Sequence, residues 1–316
     1  MPTVLLHGGL GNQLFQYAVG RALSVRTGST LRLATSWFSA RTPSSTPRRL
    51  HLHEFHPRGE FRRGPSREDT TLKARFKLFD LLRSFGESLA IRICRVHKDQ
   101  TPHRFDPQVL EAPGDSVLYG YYQSEQYFAS IRGLLREEIS RSTELTEASR
   151  PWKRRVEQMN SVAVHVRRGD YVDQGWALPA EYYRSAISTV QSLPEEIDLF
   201  FFSDDVAWVR ENIGDLLPTH GPAPTVHFVD CNDGTAVAND LDLMRRCRHQ
   251  IIANSTLSWW GAWLNRHDEK TVLAPSYWIH DPVEDTDIIP GRWETVGWRS
   301  LPGPANAPSP NGPSPA

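Results

Sequence analysis

The stretch SVAVHVRRGD, residues 161–170, determines the fold of this chain. Its first six residues are almost all apolar, without the alternation of polar side chains that a strand with one face in water would have. They predict a buried strand of a parallel sheet. Arg167, Arg168 and Asp170 follow where that strand ends. Ligands of parallel α/β sheets bind beyond the carboxyl ends of the strands, so these charged residues are candidates for a binding site.

The rest of the second half repeats this alternation of apolar strands and helices. Further strands are predicted at 199–202, 226–229, 250–253 and 271–274, and helices at 181–193, 206–213, 238–247 and 255–263. Near-continuous apolar strands separated by helices are typical of a parallel sheet that is covered on both faces. The sequence therefore predicts an α/β fold.

Two other strand ends are polar in the same way. Ser203, Asp204 and Asp205 follow the second strand, and residues 254–256 (Asn-Ser-Thr) follow the fourth. An arginine fork suits a phosphate, and a helix start offers free N–H groups to a second anionic group. A carboxylate there can accept hydrogen bonds from a ribose or a guanine edge. Each feature alone has a plainer explanation as a surface ion pair or a helix cap, but together they favour a site for a nucleotide diphosphate without a metal.

The chain begins with a short strand at 3–6 and a turn, His7-Gly8-Gly9, that leads into a helix. Neither the Walker loop nor the dinucleotide fingerprint fits, because no Gly-Lys-Ser/Thr follows and Leu14 replaces the last glycine. The turn can be purely structural, but Asn12 and Gln13 place two amides at the helix start. These amides can bind hydroxyl groups of a ligand.

Composition narrows the class of protein. The chain has 316 residues, which is long enough for two domains, with 36 Lys and Arg against 37 Asp and Glu. This balance argues against nucleic acid as a partner. The three cysteines are scattered without metal-ligand spacing, which indicates a reducing compartment. No stretch is long enough to span a bilayer, and no signal peptide precedes the first strand, so a cytoplasmic location is expected.

Three segments outside the α/β pattern differ in character. Residues 41–67 are rich in Pro, Arg and Ser and predict an irregular surface, and residues 302–316 predict a disordered tail. Residues 72–96 predict one basic amphipathic helix. Such a helix can lie peripherally on the inner face of an anionic membrane, or it can simply expose a solvated basic face.

Four motifs together resemble those of the α-1,2-fucosyltransferases of glycosyltransferase family 11. They are HVRRGD at 165–170, FSDD at 202–205, NSTLSWWGAWLN at 254–265 and GGLGNQLFQYA at 8–18. The resemblance covers both halves of the chain. It implies a GT-B-like fold, in which two Rossmann-like domains face a cleft. The expected divisions are an acceptor-side domain at 1–150, a donor-binding domain at 151–301 and the tail.

The resemblance also implies a bacterial enzyme that passes L-fucose from GDP-fucose to O2 of a terminal galactose, with no cofactor or metal. The acceptor is then a galactose-terminated oligosaccharide or lipid-linked glycan, as in O-antigen synthesis. The donor-binding candidates are His165, Arg167, Ser203, Asp204, Asp205, Asn254, Ser255 and Thr256. The acceptor-side candidates are Asn12, Gln13 and Trp259.

The chemistry assigns roles to three of these residues. Fucose C1 gains positive charge while GDP leaves as an anion, which Arg167 and the helix start at Ser255 can stabilise. Asp170 either orients an arginine or removes the acceptor proton, and Asn12 faces the reaction from the other domain. Asp173 and His7 are weaker candidates for the base. A transferase for another sugar nucleotide, or a non-catalytic binding module, remains as an alternative.

Overall fold

The structure, a computed structural model, describes residues 1–39, 48–62, 67–99, 101, 103–142, 144–232, 236–279 and 281–297. Its helices are α1 (Leu10–Thr27), α2 (Arg67–Arg83), α3 (Glu87–Cys94), α4 (Arg132–Glu138), α5 (Arg150–Gln158), α6 (Gly169–Asp173), α7 (Ala180–Gln191), α8 (Val206–Glu211), α9 (Ile213–Leu216), α10 (Val237–Met244) and α11 (Thr256–Leu264). Its strands are β1 (Thr3–Leu5), β2 (Arg32–Ala34), β3 (Glu60–Arg62), β4 (Val96–Lys98), β5 (Val117–Tyr119), β6 (Ser161–Val166), β7 (Asp198–Ser203), β8 (Thr225–Phe228), β9 (His249–Ile251), β10 (Val272–Pro275), β11 (Tyr277–Trp278), β12 (Asp281–Pro282) and β13 (Glu294–Val296).

The strands form two larger parallel sheets, one in each half of the chain. The first has the order β3-β2-β1-β5-β4 and the second the order β13-β10-β9-β6-β7-β8. All neighbouring pairs in both sheets are parallel. Parallel pairing requires crossover connections, which the helices between the strands provide. The prediction of a GT-B-like α/β fold with two Rossmann-like domains is confirmed.

Strand β6 lies inside the second sheet, between β9 and β7. Each of its six residues is buried, as its mostly apolar sequence predicts. Its register sets Val166 beside Ser203 of β7, so both strands end at the same edge. Arg167 and Asp204 follow these two residues, and the topology alone therefore brings them together.

An aromatic cluster joins the two domains between helices α1 and α11. Phe15 of α1 lies 4.5 Å from the ring of Trp259 and 5.1 Å from that of Trp260, measured between centroids. Phe128 stacks on Trp260 at 5.4 Å. These residues belong to one buried apolar cluster with members in both halves of the chain. Large aromatic side chains buried on both partners hold the domains in a defined relation.

The structure corrects two predictions for the first domain. The single helix predicted at 72–96 is two helices followed by strand β4, because Gly86 has φ 144° and breaks the helix between them. The segment 41–67 is not all irregular, because its residues 60–62 form edge strand β3. Strands of three residues, such as β2, β3 and β4, are too short to leave a clear pattern in the sequence.

Helix bounds in the second domain differ from the prediction by a few residues. The helix predicted at 206–213 is divided into α8 and α9, and the sheet gains an edge strand, β13, beyond the last predicted strand. The proline-rich tail at 302–316 lies outside the described residues. Within the described part of the chain, no helix has both the length and the apolar character needed to cross a membrane.

Candidate active site

A cavity of 340 Å³ lies between the two domains, at the carboxyl ends of β6 and β7. The first domain contributes Gly9 and Leu10 from the start of α1, together with a loop at 48–51. The second domain contributes the strand ends and parts of α10 and α11. The lining residues are Gly9, Leu10, Arg48, Arg49, His51, His165, Arg167, Gly169, Asp170, Phe202, Ser203, Asp204, Val237, Asp240, Met244 and Leu257. Four of the predicted donor-binding residues, and Asp170, are therefore brought to one cleft.

Arg167 is held in this cavity by two carboxylates. Its Nη1 lies 2.8 Å from Oδ2 of Asp204, and its Nη2 donates to Oδ1 of Asp170. The guanidinium also lies over the ring of Tyr171, 5.2 Å from the centroid. A planar fork with two carboxylates and an aromatic face around it keeps a fixed orientation before any ligand arrives.

Asp170 connects the two domains. Its Oδ1 accepts from Arg167, and its Oδ2 accepts from Nη2 of Arg48 at 2.7 Å. Arg48 belongs to the loop that follows the first undescribed segment, and its side chain is 29% exposed. A carboxylate that accepts from two guanidinium groups fixes their positions relative to each other. Of the two predicted roles for Asp170, the orienting one agrees with these contacts.

Asp204 supports the turn between β6 and α6. Its Oδ1 accepts from the backbone N–H of Arg168 at 2.9 Å, while its Oδ2 binds Arg167. A Cβ on Gly169 would lie 2.4 Å from that Oδ2, so only glycine allows this close approach. The motif HVRRGD thus needs its glycine in order to seat the carboxylate of FSDD.

Arg168 and Asp205 point away from the cavity, as alternation along an extended strand predicts. The guanidinium of Arg168 lies 3.5 Å from the ring centroid of Trp208 and 3.5 Å from Oδ2 of Asp205. Asp205 also caps α8, since its Oδ1 accepts from the N–H of Trp208 at 3.1 Å. The plainer explanation, a capped helix with an ion pair, accounts for Asp205, and the structure does not bring it to the donor cavity.

His165 lies at the floor of the cavity and is 5% exposed. Burial, with a smaller contribution from the charge of Arg167, lowers its pKa to about 3. The imidazole is therefore neutral at ordinary pH. Its Nδ1 is buried without a hydrogen-bond partner among the described residues. A neutral ring next to a polar ligand can donate from one nitrogen and accept at the other.

Asp240 and Arg48 are cavity residues that the sequence analysis missed. Asp240 lies on α10, where its Oδ1 accepts from Nδ2 of Asn232 at 2.5 Å. Burial raises its pKa to about 7, so near neutral pH the carboxyl is protonated in part of the molecules. An acidic residue within the apolar helix pattern at 238–247 was the available signal. No comparable signal in the sequence indicated Arg48, because it lies in a segment predicted to be irregular.

The residues Asn254, Ser255 and Thr256 lie beside the cavity at the start of α11, and their neighbour Leu257 lines it. Asn254 is buried and donates to the carbonyl oxygen of Trp176 at 2.9 Å, while its Oδ1 has no partner among the described residues. Ser255 is the N-cap residue of α11, but its side chain accepts no capping bond. The start of α11 packs against α1, since a Cβ on Gly11 would lie 2.4 Å from Oγ1 of Thr256.

The two acceptor-side amides differ. Asn12 is partly exposed at the first turn of α1, and its Oδ1 accepts from Nε2 of Gln123 at 2.9 Å. Gln13 is fully buried. Its amide donates to the carbonyl oxygens of Gly8 and Arg49, at 3.0 and 2.8 Å, and its Oε1 accepts from the backbone N–H groups of residues 51 and 52. Contrary to the prediction of acceptor contact, Gln13 instead secures the loop that carries Arg48.

Trp259 is also placed differently from its prediction as an acceptor-binding residue. It is fully buried in the aromatic cluster, and its Nε1 donates to the carbonyl oxygen of Ile288 at 2.7 Å. The weaker candidates for the base, His7 and Asp173, do not line the cavity. The ring of His7 is hydrogen-bonded to Gln16 and to the carbonyl oxygen of Leu5, and Asp173 ends α6 with its side chain exposed.

Among the described residues, no group of three or more His, Cys, Asp or Glu side chains is placed to hold a metal ion. Asp204 and Asp205, adjacent in sequence, bind different partners and diverge. Metal independence itself stays a prediction, and the test of it is given below.

Two Rossmann-like domains that face a cleft are the architecture of GT-B-type glycosyltransferases. The sequence profile of glycosyl transferase family 11 matches residues 108–296. Alpha-1,2-colitosyltransferase of Escherichia coli is 30% identical over an alignment of 305 positions that covers 92% of this chain and 97% of that protein. O-antigen biosynthesis glycosyltransferase WbnK, also of Escherichia coli, is 30% identical over 87% of this chain and 93% of its own. Galactoside alpha-(1,2)-fucosyltransferase 2 of Hylobates lar is 25% identical over 89% of this chain and 73% of that protein. The chain belongs to glycosyltransferase family 11.

Proposed function

We propose that this protein transfers L-fucose from GDP-fucose to O2 of a terminal galactose, with inversion at the anomeric carbon and without a metal ion. The observation that carries the proposal is the guanidinium of Arg167, oriented by Asp170 and Asp204 in the cavity between the domains. Membership of family 11 supports a glycosyltransferase. The activities of two relatives, alpha-1,2-colitosyl and alpha-(1,2)-fucosyl transfer, support the linkage and a deoxy sugar.

The leaving diphosphate is the group that this cavity is built to stabilise. As the bond from fucose C1 breaks, negative charge grows on the departing phosphate oxygen while C1 becomes positive. Each terminal nitrogen of Arg167 keeps a second N–H besides the one directed at a carboxylate, and the two carboxylates already fix the plane of the guanidinium. Little reorganisation is then needed in the transition state. His165 and Ser203, at the ends of β6 and β7, provide neutral polar contacts on the same wall.

The acceptor enters from the side of α1 in this proposal. Gly9 and Leu10 line the cavity opposite Arg167, and Asn12 lies one turn away with its oxygen already occupied by Gln123. The amide nitrogen of Asn12 is then the group suited to a sugar hydroxyl. The glycine turn is therefore assigned to the acceptor side, and the diphosphate to the opposite domain.

GDP-colitose is the second candidate donor, because a relative with 30% identity over most of both chains is a colitosyltransferase. Colitose lacks the 3-hydroxyl group of fucose, and the two sugars are otherwise alike. A site that hydrogen-bonds this hydroxyl rejects the deoxy sugar strongly, whereas a site that does not will accept both. The acceptor is proposed to be a free oligosaccharide or a lipid-linked glycan such as an O-antigen unit, because the relative WbnK is an O-antigen biosynthesis glycosyltransferase.

A donor panel tests the proposal directly. Purified protein is incubated with GDP-fucose, GDP-colitose, GDP-mannose or UDP-galactose and a set of β-galactosides, and the linkage of the product is determined by NMR. Transfer of fucose to O2 supports the proposal. Preference for GDP-colitose would move the assignment to the second candidate. Binding of GDP without transfer or donor hydrolysis with any acceptor would indicate a binding module and contradict enzyme function.

Metal independence has its own test. Because Arg167 supplies the charge that a cation would otherwise provide, transfer should persist at an undiminished rate in excess EDTA. The measurement is the initial rate with and without chelator. Loss of activity that Mn²⁺ or Mg²⁺ restores would contradict this part of the proposal and leave the donor assignment intact.

A further inference from the structure

The hairpin of helices α2 and α3 exposes an unusually large apolar surface. Phe85, at the tip between the helices, is 77% exposed, and Leu81 is 64% exposed. Leu78 on α2 and Leu89 and Ile93 on α3 are exposed as well. Single exposed apolar residues are ordinary, but a group of them on one supersecondary unit marks an interaction surface.

This surface is not a core face that failed to pack. The opposite side of the hairpin is already buried against β4 and β5, with Phe79, Ala90 and Cys94 in one apolar cluster with Val96 and Val117. Leu78 and Leu81, three residues apart, lie together on the outer side of α2. The hairpin therefore packs on its domain through one face and leaves a second apolar face outward.

The charge around this face selects its partner. Lys73 and Lys77 are exposed on α2 next to Leu81, and Arg92 is exposed on α3 next to Ile93. Of the nearby acids, Asp80 is paired with Lys98 at 2.5 Å. Apolar side chains flanked by cations fit the boundary of a bilayer, where acyl chains lie below a layer of anionic phosphates.

The hairpin also lies close to the acceptor side of the cleft. Phe76 on α2 contacts the ring of Tyr119 with centroids 5.6 Å apart, and Tyr119 lies 5.3 Å from the ring of His7. His7 directly precedes the glycine turn at the cavity. Tyr119 and Tyr121 are themselves exposed near this edge. A surface bound through the hairpin would therefore be adjacent to the mouth of the cleft.

We propose that the α2–α3 hairpin binds the surface of an anionic lipid bilayer, with Leu81 and Phe85 in the acyl region and Lys73 and Lys77 at the phosphates. Membrane binding stands on the exposed face alone. Its purpose, delivery of a lipid-linked acceptor to the cleft, rests on the proposed function. The two can be tested separately.

Vesicle co-sedimentation of the full chain tests the proposal. Wild-type protein should bind equimolar phosphatidylglycerol–phosphatidylethanolamine vesicles and bind pure phosphatidylcholine vesicles much less, and added salt should weaken the difference. The double variant Leu81→Ser/Phe85→Ser should lower binding by at least roughly tenfold, and each of Lys73→Gln and Lys77→Gln by about fivefold. Val25→Ser/Met159→Ser, which changes two exposed apolar residues elsewhere, should bind as the wild type does.

Transfer to a soluble galactoside separates this inference from the proposed function. The hairpin variants should keep the wild-type rate in that assay, because they lie outside the cavity. Equal binding to anionic and neutral vesicles, or wild-type binding by Leu81→Ser/Phe85→Ser, would overturn the proposal. A third result would also overturn it: the wild-type protein binds no vesicles and is a dimer in light scattering, and Leu81→Ser/Phe85→Ser is a monomer. A second copy of this chain would then cover the face.

Discussion

Arg167 shows how a single side chain can be prepared for its task by its neighbours. Two carboxylates from different loops and one aromatic ring fix the plane of its guanidinium. The fork faces a cavity whose opposite wall belongs to the other domain. Lysine cannot replace such a group, since it has one charged nitrogen, whereas the two terminal nitrogens of Arg167 bind two different carboxylates.

We expect Arg167→Lys to lower turnover by about a hundredfold, which corresponds to roughly 3 kcal/mol of transition-state stabilisation. The effect should appear in kcat as well as in donor affinity, because the charge on the diphosphate grows toward the transition state. Steady-state kinetics with circular dichroism as a check of folding provides the measurement. Arg168→Lys is the matched control, since that side chain lies over Trp208 outside the cavity. Near-wild-type kinetics of folded Arg167→Lys would refute the phosphate assignment.

Arg48 is expected to add a second positive charge to the donor site from the first domain. Its guanidinium shares Asp170 with Arg167, so the two cations lie within one carboxylate of each other. Arg48→Gln should weaken binding of GDP by roughly tenfold and leave binding of guanosine unchanged, because only the diphosphate interacts with the charge. Isothermal titration with GDP, GMP and guanosine measures this difference.

A second ion pair between the domains provides the control for Arg48. Nη1 of Arg292 lies 2.5 Å from Oε1 of Glu125, and neither residue lines the cavity. Arg292→Gln should therefore leave all three affinities unchanged. If Arg48→Gln and Arg292→Gln lose the same affinity for GDP, Arg48 serves only to hold the domains together. Equal losses for GDP and guanosine in Arg48→Gln would show that its charge does not act on the phosphates.

At the scale of elements, the start of α1 and the start of α11 meet at Gly11. A Cβ there would lie 2.4 Å from Oγ1 of Thr256 and 2.7 Å from the backbone nitrogen of Leu257. The two helices therefore approach more closely than any side chain at this position permits. The same contact places the glycine turn of one domain and the Asn-Ser-Thr segment of the other at one junction beside the cavity.

Gly11→Ala should push the helices apart and cost about 1–3 kcal/mol of stability. Because the contact adjoins the cavity, donor affinity should fall as well. Denaturant unfolding and GDP titration measure the two effects. Gly133→Ala is the control on α4, where an added Cβ meets nothing within 4 Å. It should be neutral or slightly stabilising, since alanine favours a helix over glycine. A Gly11→Ala protein as stable as the wild type would show that the junction tolerates a shift.

Over the whole molecule, buried histidines make stability depend on pH. Burial is the largest cause of a lowered pKa at His7, His97, His103, His165 and His249. Each remains neutral in the folded protein at a pH where it is protonated in the unfolded chain. The folded state thus binds fewer protons in that range, so acid favours unfolding.

His165 should contribute the part of this effect that can be isolated most clearly. Its pKa falls from 6.5 in the unfolded chain to about 3 in the folded protein. The contribution of neutral His165 to the free energy of unfolding is fully present above pH 6.5. It is lost as the pH falls toward 3, and the loss amounts to at most roughly 5 kcal/mol. His165→Gln should flatten this part of the profile, measured as free energy of unfolding against pH. His220→Gln, at an exposed site, should not. A His165→Gln profile parallel to that of the wild type would contradict the assignment.

Much of the second domain could be predicted because its strands are long and apolar. Strand β6 and the position of Arg167 at its end follow from the alternation of strands and helices, and β7 places Asp204 beside them. The first domain was harder, because strands of three residues carry little periodicity. The break at Gly86 was also missed, since apolar residues on both sides of it continued one helical stripe.

Among the site residues, the packing of the whole chain decided which side chains face the cavity and which do not. Gln13 and Trp259 belong to motifs of the right family and have side chains able to bind sugars, but both are fully buried with their polar atoms bound within the protein. Asp205 caps a helix. Nothing local in the sequence distinguishes these residues from Asn12 or Asp204, because burial depends on what the rest of the chain packs against each position.

By itself, the sequence determined the α/β class, the strand ends that carry charge and the family of the enzyme. Those properties depend on local hydrophobicity, on periodicity and on the identity of short segments. Only the tertiary structure decided that Arg48 meets Asp170 across the cleft, that Asp240 lines the cavity and that Gln13 holds a loop. These relations join residues that are far apart in the chain, and their energies come from desolvation and from contacts that exist only after the two domains have packed together.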